Sequence, residues 1–344
     1  MIDSQSAVST TNVVPNARET AALTRLLKEV AGTGYAFITP TPVTHQRYLD
    51  QRSRDQDQDV SLRDIFGWNS PFASHQLAPS LLALLQQAGA VLAGNPARSG
   101  VRIASLDGDL LLHSSFPTGA SSSVFFGPDT YRFARFIRHA LTEHVLSPNT
   151  ASGSAPHSTV RILDVGCGSG AGGIAAARMM QGAGRECSLT LSDINPTALR
   201  YAAINADVAG IPVRLALGDT FAAVDGQFDL IISNPPYLYD DNRRTYRHGG
   251  DGLGRALSVR IAREALTRLA PGGQLLLYTG VAIIAGADPF LDEMTAALSS
   301  TGWPWSYTEI DPDVFGEELS RPIYQHADRI AAVGLIVCRS EGPP

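Results

Sequence analysis

Hydrophobic and polar positions fall into distinct regimes along the chain. From Thr20 the spacing is helical: Leu23, Leu26, Leu27 and Val30 share one face, and LAPSLLALLQQAGAVLAG at 77–94 predicts a second helix. VRIASLDGDLLLHSSF at 101–116 is instead two alternating runs around Asp107-Gly108, a pair that tolerates φ > 0 and so predicts a tight hairpin. A helical pattern returns from Asp129 to Thr142. Beyond it, the short apolar runs RILDV, SLTLSD, VRLALGD, DLIISN, GQLLLYT and GLIVC alternate with helical stretches such as Pro196–Ala206 and Leu257–Leu269. Runs apolar along their length and separated by helices predict an α/β fold with a parallel sheet covered on both faces.

Three stretches carry no such period. Residues 1–17 are polar and β-branched and predict a frayed tail, QRSRDQDQD at 51–59 predicts a solvated loop or helix face, and SPNTASGSAPHST at 147–159 predicts a surface loop. The chain therefore divides into a tail (1–17), a helical and hairpin region taken as the substrate-recognition domain (18–122), and an α/β domain (123–344). FGWNSPF at 66–72 reads as a packed aromatic corner, and Trp303 and Trp305 as core.

Composition narrows the chemistry. Of the 27 basic residues only Lys28 is a lysine, and it lies in the polar helical pattern TRLLKEV, so a phosphate loop of the Walker type and a Schiff-base amine both drop out. A net charge of -6 argues against a basic face wide enough for whole-surface nucleic-acid binding, but leaves room for a local basic loop. Cys167, Cys187 and Cys338 are far apart without CxxC spacing, and the eight histidines form no i, i+4 pair, so neither disulfide framework nor metal site is expected. With no basic-apolar leader and no apolar run of about 18 residues, the expectation is a soluble, cytoplasmic protein without a membrane partner.

The strand RILDV runs into GCGSGAGG (166–173) and then a helix, a turn whose glycines let backbone amides approach a ligand. Gly168 to Gly173 satisfies G-x-G-x-x-G, and Asp193 follows Gly173 by twenty residues, as a dinucleotide site would require. A carboxylate at Asp164, before the turn, would however repel a pyrophosphate by about 1–4 kcal/mol, and it suits a ligand with a cationic amino end such as S-adenosylmethionine. Asp193 can then accept the ribose hydroxyls, and Asp219, ending the third run, can face the adenine amine. The fourth run, FDLIISNPPY, ends in a rigid acceptor array. The Asn234 side-chain oxygen and the Pro235 carbonyl can both accept from one planar NH2 group while the Tyr237 ring covers it. Such acceptors free the nitrogen lone pair and act in the transition state.

LDVGCGSG, SDIN, GD and NPPY, in that order, resemble the class I S-adenosylmethionine-dependent N-methyltransferases. Within them the chain is similar to the HemK/PrmC family, which methylates the glutamine of peptide-chain release factors. GDTF, SNPPY and GGDGL (249–253) keep the family's order, and VFFGPDTYRF (124–133) stands where that family has an aromatic-arginine-Pro-Glu-Thr segment. The resemblance implies a seven-stranded Rossmann-like sheet whose last strands are antiparallel. It implies cofactor contacts at Phe126, Thr130, Asp164, Gly166, Gly168, Gly170, Asp193, Ile194, Asn195, Asp219, Thr220 and Asn234, and an acceptor site of Asn234, Pro235, Pro236 and Tyr237. Arg243, Arg244, Tyr246 and Arg247 form a basic aromatic loop beside it that suits RNA, an acidic protein patch or solvent. Three readings stay open: methylation of a protein glutamine, N6-methylation of adenine in RNA or DNA, and a nicotinamide-type or non-catalytic cofactor-binding role.

Overall fold

The structure, a computed structural model, describes residues 17–52, 60–144 and 159–342. The tail before Ala17, positions 53–59 of the polar stretch and positions 147–158 of the expected surface loop lie outside the described residues.

The N-terminal region consists of α1 (Ala17–Ala31), α2 (Pro42–Arg52), a π-helical turn (Arg63–Gly67), α3 (Pro79–Gln87), the short ladder of β1 (Val91–Leu92) with β2 (Arg98–Ser99), and the hairpin of β3 (Val101–Leu106) with β4 (Asp109–Ser114). The apolar stripe of α1 is buried as its spacing requires. The second helix is shorter than its apolar run, because Gly89 takes a left-handed φ of 61° just after the helix end and the following residues pair as β1. No apolar period marks α2, whose one buried side chain is His45. Phe66 and Phe72 are buried and Trp68 stacks on Tyr48 with centroids 3.8 Å apart, so FGWNSPF is a packed corner.

The hairpin joins the two regions. Around Asp107-Gly108, both at positive φ, its alternating residues face opposite ways. Val101, Ile103, Leu110 and Leu112 pack with α1 and α3, while Ala104, Leu106 and Leu111 pack against the second region.

That region runs α4 (Pro128–His144), β5 (Val160–Val165), α5 (Ala171–Gly182), β6 (Cys187–Asp193), α6 (Pro196–Ala209), β7 (Val213–Leu217), β8 (Phe228–Ser233), α7 (Ala256–Arg268), β9 (Leu269–Ile283), α8 (Pro289–Leu298), β10 (Trp305–Asp311) and β11 (Arg329–Cys338). Its seven strands lie in the order β10-β11-β9-β8-β5-β6-β7, with β5 to β9 parallel and β11 antiparallel to both neighbours. The edge strand β10 has no apolar run because its face is largely exposed. Trp305, expected in the core, is 37% exposed on it, and Trp303 is half-buried under Arg339.

Candidate active site

The chain starts the sheet at β5 and builds outward first through β6 and β7, then on the other side through β8 and β9. The crevice beyond the carboxyl ends of β5 and β8 is thus the topological switch point where open α/β sheets bind ligands. Val165 pairs with Ser233 and with Ser192, and Asp193 with Leu217. That register places the glycine turn, Asp193, Asp219 and Asn234 side by side, and one cavity is lined by all of them.

Gly166 and Gly168 have φ of 69° and 54°, with open space where a Cβ would stand, so the turn presents backbone rather than side chains to the cavity. Two carboxyls brace it. Asp164, 2% exposed, accepts from Gly173 N at 2.8 Å through Oδ2, while Oδ1 accepts nothing among the described residues. Burial, opposed by that hydrogen bond and reinforced by Asp193, pushes its pKa up to about 7. Asp193 accepts from Gly168 N at 2.9 Å and Asn195 N at 2.8 Å, and burial raises it against those bonds. Burial and the two acids push the thiol of the lining residue Cys167 well up, which favours its neutral form. Ile194, 56% exposed, forms an apolar lip.

The NPPY segment forms the facing wall. Asn234 is half-buried, lines the cavity, and its side-chain amide makes no hydrogen bond among the described residues; neither does the Pro235 carbonyl. Tyr237 is buried, its ring edge-on to Phe315 at 5.9 Å and its hydroxyl on Asp129. Burial, then Asp129 and Tyr278, hold that phenol well above its usual range.

Several expected contacts are rearranged. Phe126 does not reach the cavity: it is fully buried, stacked on His113 at 5.2 Å, and its neighbour Phe125 lines the site instead. Gly170 is also off the lining; it caps α5 against Ala202. Thr130, Asp219 and Thr220 line the cavity, but Arg260 holds the Asp219 carboxylate at 2.6 and 3.0 Å and the Thr220 hydroxyl donates to Glu264 at 2.7 Å. The basic loop is largely neutralised. Arg244 binds Asp240 at 2.5 Å, drawing that carboxyl down to about 2, and Arg247 pairs with Glu318. Exposed Arg243 makes no ion pair among the described residues, and Tyr246 and Arg247 line the mouth while Arg243 and Arg244 do not.

Other contacts at the site had no sequence signal. The segment leaving β4 crosses the mouth: Thr118 O accepts from Tyr246 Oη at 2.6 Å, Ser121 O from Thr245 Oγ1 at 2.7 Å, and Ser122 O from Asn195 Nδ2 at 2.9 Å. Buried Asn205 on α6 exchanges hydrogen bonds with Leu112 N and O and donates to Ser169 O, tying hairpin to glycine turn. No metal-binding group of three or more His, Cys, Asp or Glu exists among the described residues, and none of their helices is long and apolar enough to cross a membrane.

Strand order, glycine turn and strand-end acids together define a class I methyltransferase fold. Residues 153–283 match the family model described as the methyltransferase small domain. A release factor glutamine methyltransferase of Deinococcus radiodurans is 36% identical over 171 residues, 46% of this chain and 55% of that protein. One of Cereibacter sphaeroides is 40% identical over 142 residues, 37% of this chain and 48% of that protein. The ribosomal RNA small subunit methyltransferase C of Escherichia coli is 28% identical over 234 residues, 61% of this chain and 64% of that protein. The chain spans about half the length of the glutamine methyltransferases it matches.

Proposed function

We propose that this protein is a cytoplasmic enzyme that moves the methyl group of S-adenosylmethionine to a planar NH2 nitrogen, the side-chain amide of a glutamine in a release-factor-like protein. The observation that carries the reading is the Asn234 amide beside the Pro235 carbonyl, both without a hydrogen bond among the described residues, in the same cavity as the glycine turn. The residues fit the cofactor. The lining holds the carboxyls of buried Asp164 and half-buried Asp193, neither of them in an ion pair among the described residues, which favours a cationic ligand and opposes a pyrophosphate. The free Asp164 Oδ1 suits an ammonium group, and Asp193, with lone pairs left over, suits ribose hydroxyls.

When bound, the cofactor supplies an electrophilic methyl group on its sulfonium. Asn234 Oδ1 and the Pro235 carbonyl oxygen would hold the two N–H bonds of the acceptor and turn its lone pair outward; as the N–CH3 bond forms the S–CH3 bond breaks, S-adenosylhomocysteine is the leaving group, and one of the two held protons passes from the methylated nitrogen to solvent. Tyr237 would wall the acceptor, and the shared crevice would bring acceptor and cofactor together.

A second reading, methylation of adenine N6 in RNA or DNA, has its own support. Phe125 and Tyr246 line the mouth with near-parallel rings (11°, centroids 6.3 Å apart), and Arg244 lies 5.7 Å over Tyr246, a stacked surface that suits a base.

Calorimetry should show saturable binding of S-adenosylhomocysteine. With tritiated S-adenosylmethionine and a fractionated lysate, label should enter a protease-sensitive fraction; ribonuclease-sensitive label would favour the base instead. Binding of NADH but of neither adenosyl ligand would overturn both readings.

A further inference from the structure

We infer that Asp129 is a positioning residue that fixes the plane of the Tyr237 ring against the acceptor, a role that rests on the methyl-transfer reading above. Tyr237 ends the NPPY segment, and Asp129 belongs to the first turn of α4, which also carries the lining residues Thr130 and Phe133. The Tyr237 hydroxyl donates to Asp129 Oδ2. Oδ1 of the same carboxylate accepts from Tyr278 Oη at 3.0 Å and Arg132 Nη1 at 3.1 Å, and Arg132 reaches on to Asp311 at 2.8 Å. The carboxylate is therefore pinned by donors from β9 and α4, which leaves Oδ2 as a fixed point for one phenol.

Packing receives the ring on two sides. A Cβ at Gly280 would stand 2.1 Å from the Tyr237 ring, so that position is bare to admit it, and Phe315 closes the far edge. Asp129 is 6% exposed, and burial raises its pKa in spite of the three donors. A buried carboxylate is a poor way to glue a core, since apolar residues of similar volume pack as well or better. Its geometric use is to tie the segment on the cofactor side of the cavity to the acceptor wall.

The test uses Tyr237→Phe, Asp129→Ala, their double variant and Asp129→Asn. Transfer of tritium to a purified bacterial release factor should lose about 10- to 100-fold in kcat in Tyr237→Phe and in Asp129→Ala. The double variant should lose no more than the worse single. Calorimetric affinity for S-adenosylhomocysteine should stay within about threefold, a split that general loosening of the fold would not produce. Asp129→Asn should recover most of kcat, because Oδ1 still accepts from Tyr278 and Arg132 while the amide donates to the phenol oxygen. If Asp129→Ala does not fold, Tyr237→Phe and Asp129→Asn still report the tie. Independently of activity, 3-fluorotyrosine NMR should show the Tyr237 resonance, assigned by its loss in Tyr237→Phe, displaced in Asp129→Asn. Losses that multiply in the double variant, or an undisplaced resonance, overturn the inference. A displaced resonance in a protein that methylates no release factor supports the tie and overturns the glutamine reading alone.

Discussion

Ser233, the last residue of β8 before Asn234, donates its hydroxyl at 2.7 Å to the carbonyl of Val165, the last residue of β5 before Gly166. This buried bond locks the two strands at the point where the NPPY segment and the glycine turn diverge. Ser233→Ala should lower unfolding free energy by about 1 kcal/mol in urea titration. Methyl transfer should fall by a larger factor than affinity for S-adenosylhomocysteine. A variant of wild-type stability and turnover would show that the bond sets neither.

Asn234→Ala removes one of the two acceptors proposed for the reacting nitrogen and leaves the strand-end acids in place. Turnover should fall about 10²- to 10³-fold, as when one preorganised partner of a developing charge is lost. Calorimetry of S-adenosylhomocysteine should change little by comparison. Retained turnover would refute the acceptor assignment.

Asp164 gives the site a pH dependence. Its folded pKa of about 7 exceeds the ordinary carboxyl value, so the folded state holds a proton that the unfolded chain has released, and this group's contribution to stability declines as pH rises from about 4 to 7. A cationic ligand prefers the carboxylate. Cofactor affinity should therefore rise about tenfold per pH unit below 7, level off above it, and be accompanied by proton release measurable from buffer-dependent heats. Asp164→Asn should bind weakly with no such slope.

Asn205, fully buried on α6, exchanges two hydrogen bonds with Leu112 and donates a third to Ser169 O. Asn205→Ala strands the Leu112 N–H and two carbonyls in the interior, and should cost about 2–4 kcal/mol by denaturant titration. Because Ser169 lies in the glycine turn, cofactor affinity should drop as well. A loss below about 0.5 kcal/mol would mean that water replaces the side chain.

Much of this protein is legible locally. The stripe of α1 follows from a 3.6-residue period, the Asp107-Gly108 turn from residues that tolerate positive φ, and β5, β6, β7, β8, β9 and β11 from short apolar runs set between helices. The weaker readings have physical causes too. α2 buries a single side chain and β10 faces water, so neither writes an apolar period, and the second helix stops at Gly89 because a left-handed residue ends it inside an apolar run. At the site, Phe125 and Phe126 are adjacent and chemically equal. Only the path of the chain into α4 turns Phe125 into the cavity and Phe126 into the core. Arg244 and Arg247 look like a free basic loop until Glu318, far along the chain, closes on Arg247 and Asp240 closes on Arg244.

By itself the sequence determined the alternation of strands and helices, the glycine turn, and the residue types at each strand end, since these depend on neighbours a few positions away. The tertiary structure alone decided which groups stay free to meet a ligand. Asn234 is left unbonded among the described residues, whereas Asp219, Arg247 and Tyr237 are taken by partners from distant elements and Arg244 by Asp240, four residues before it. A side chain's spare hydrogen-bonding capacity is what remains after packing brings every partner within 3 Å or so, and local pattern cannot encode that.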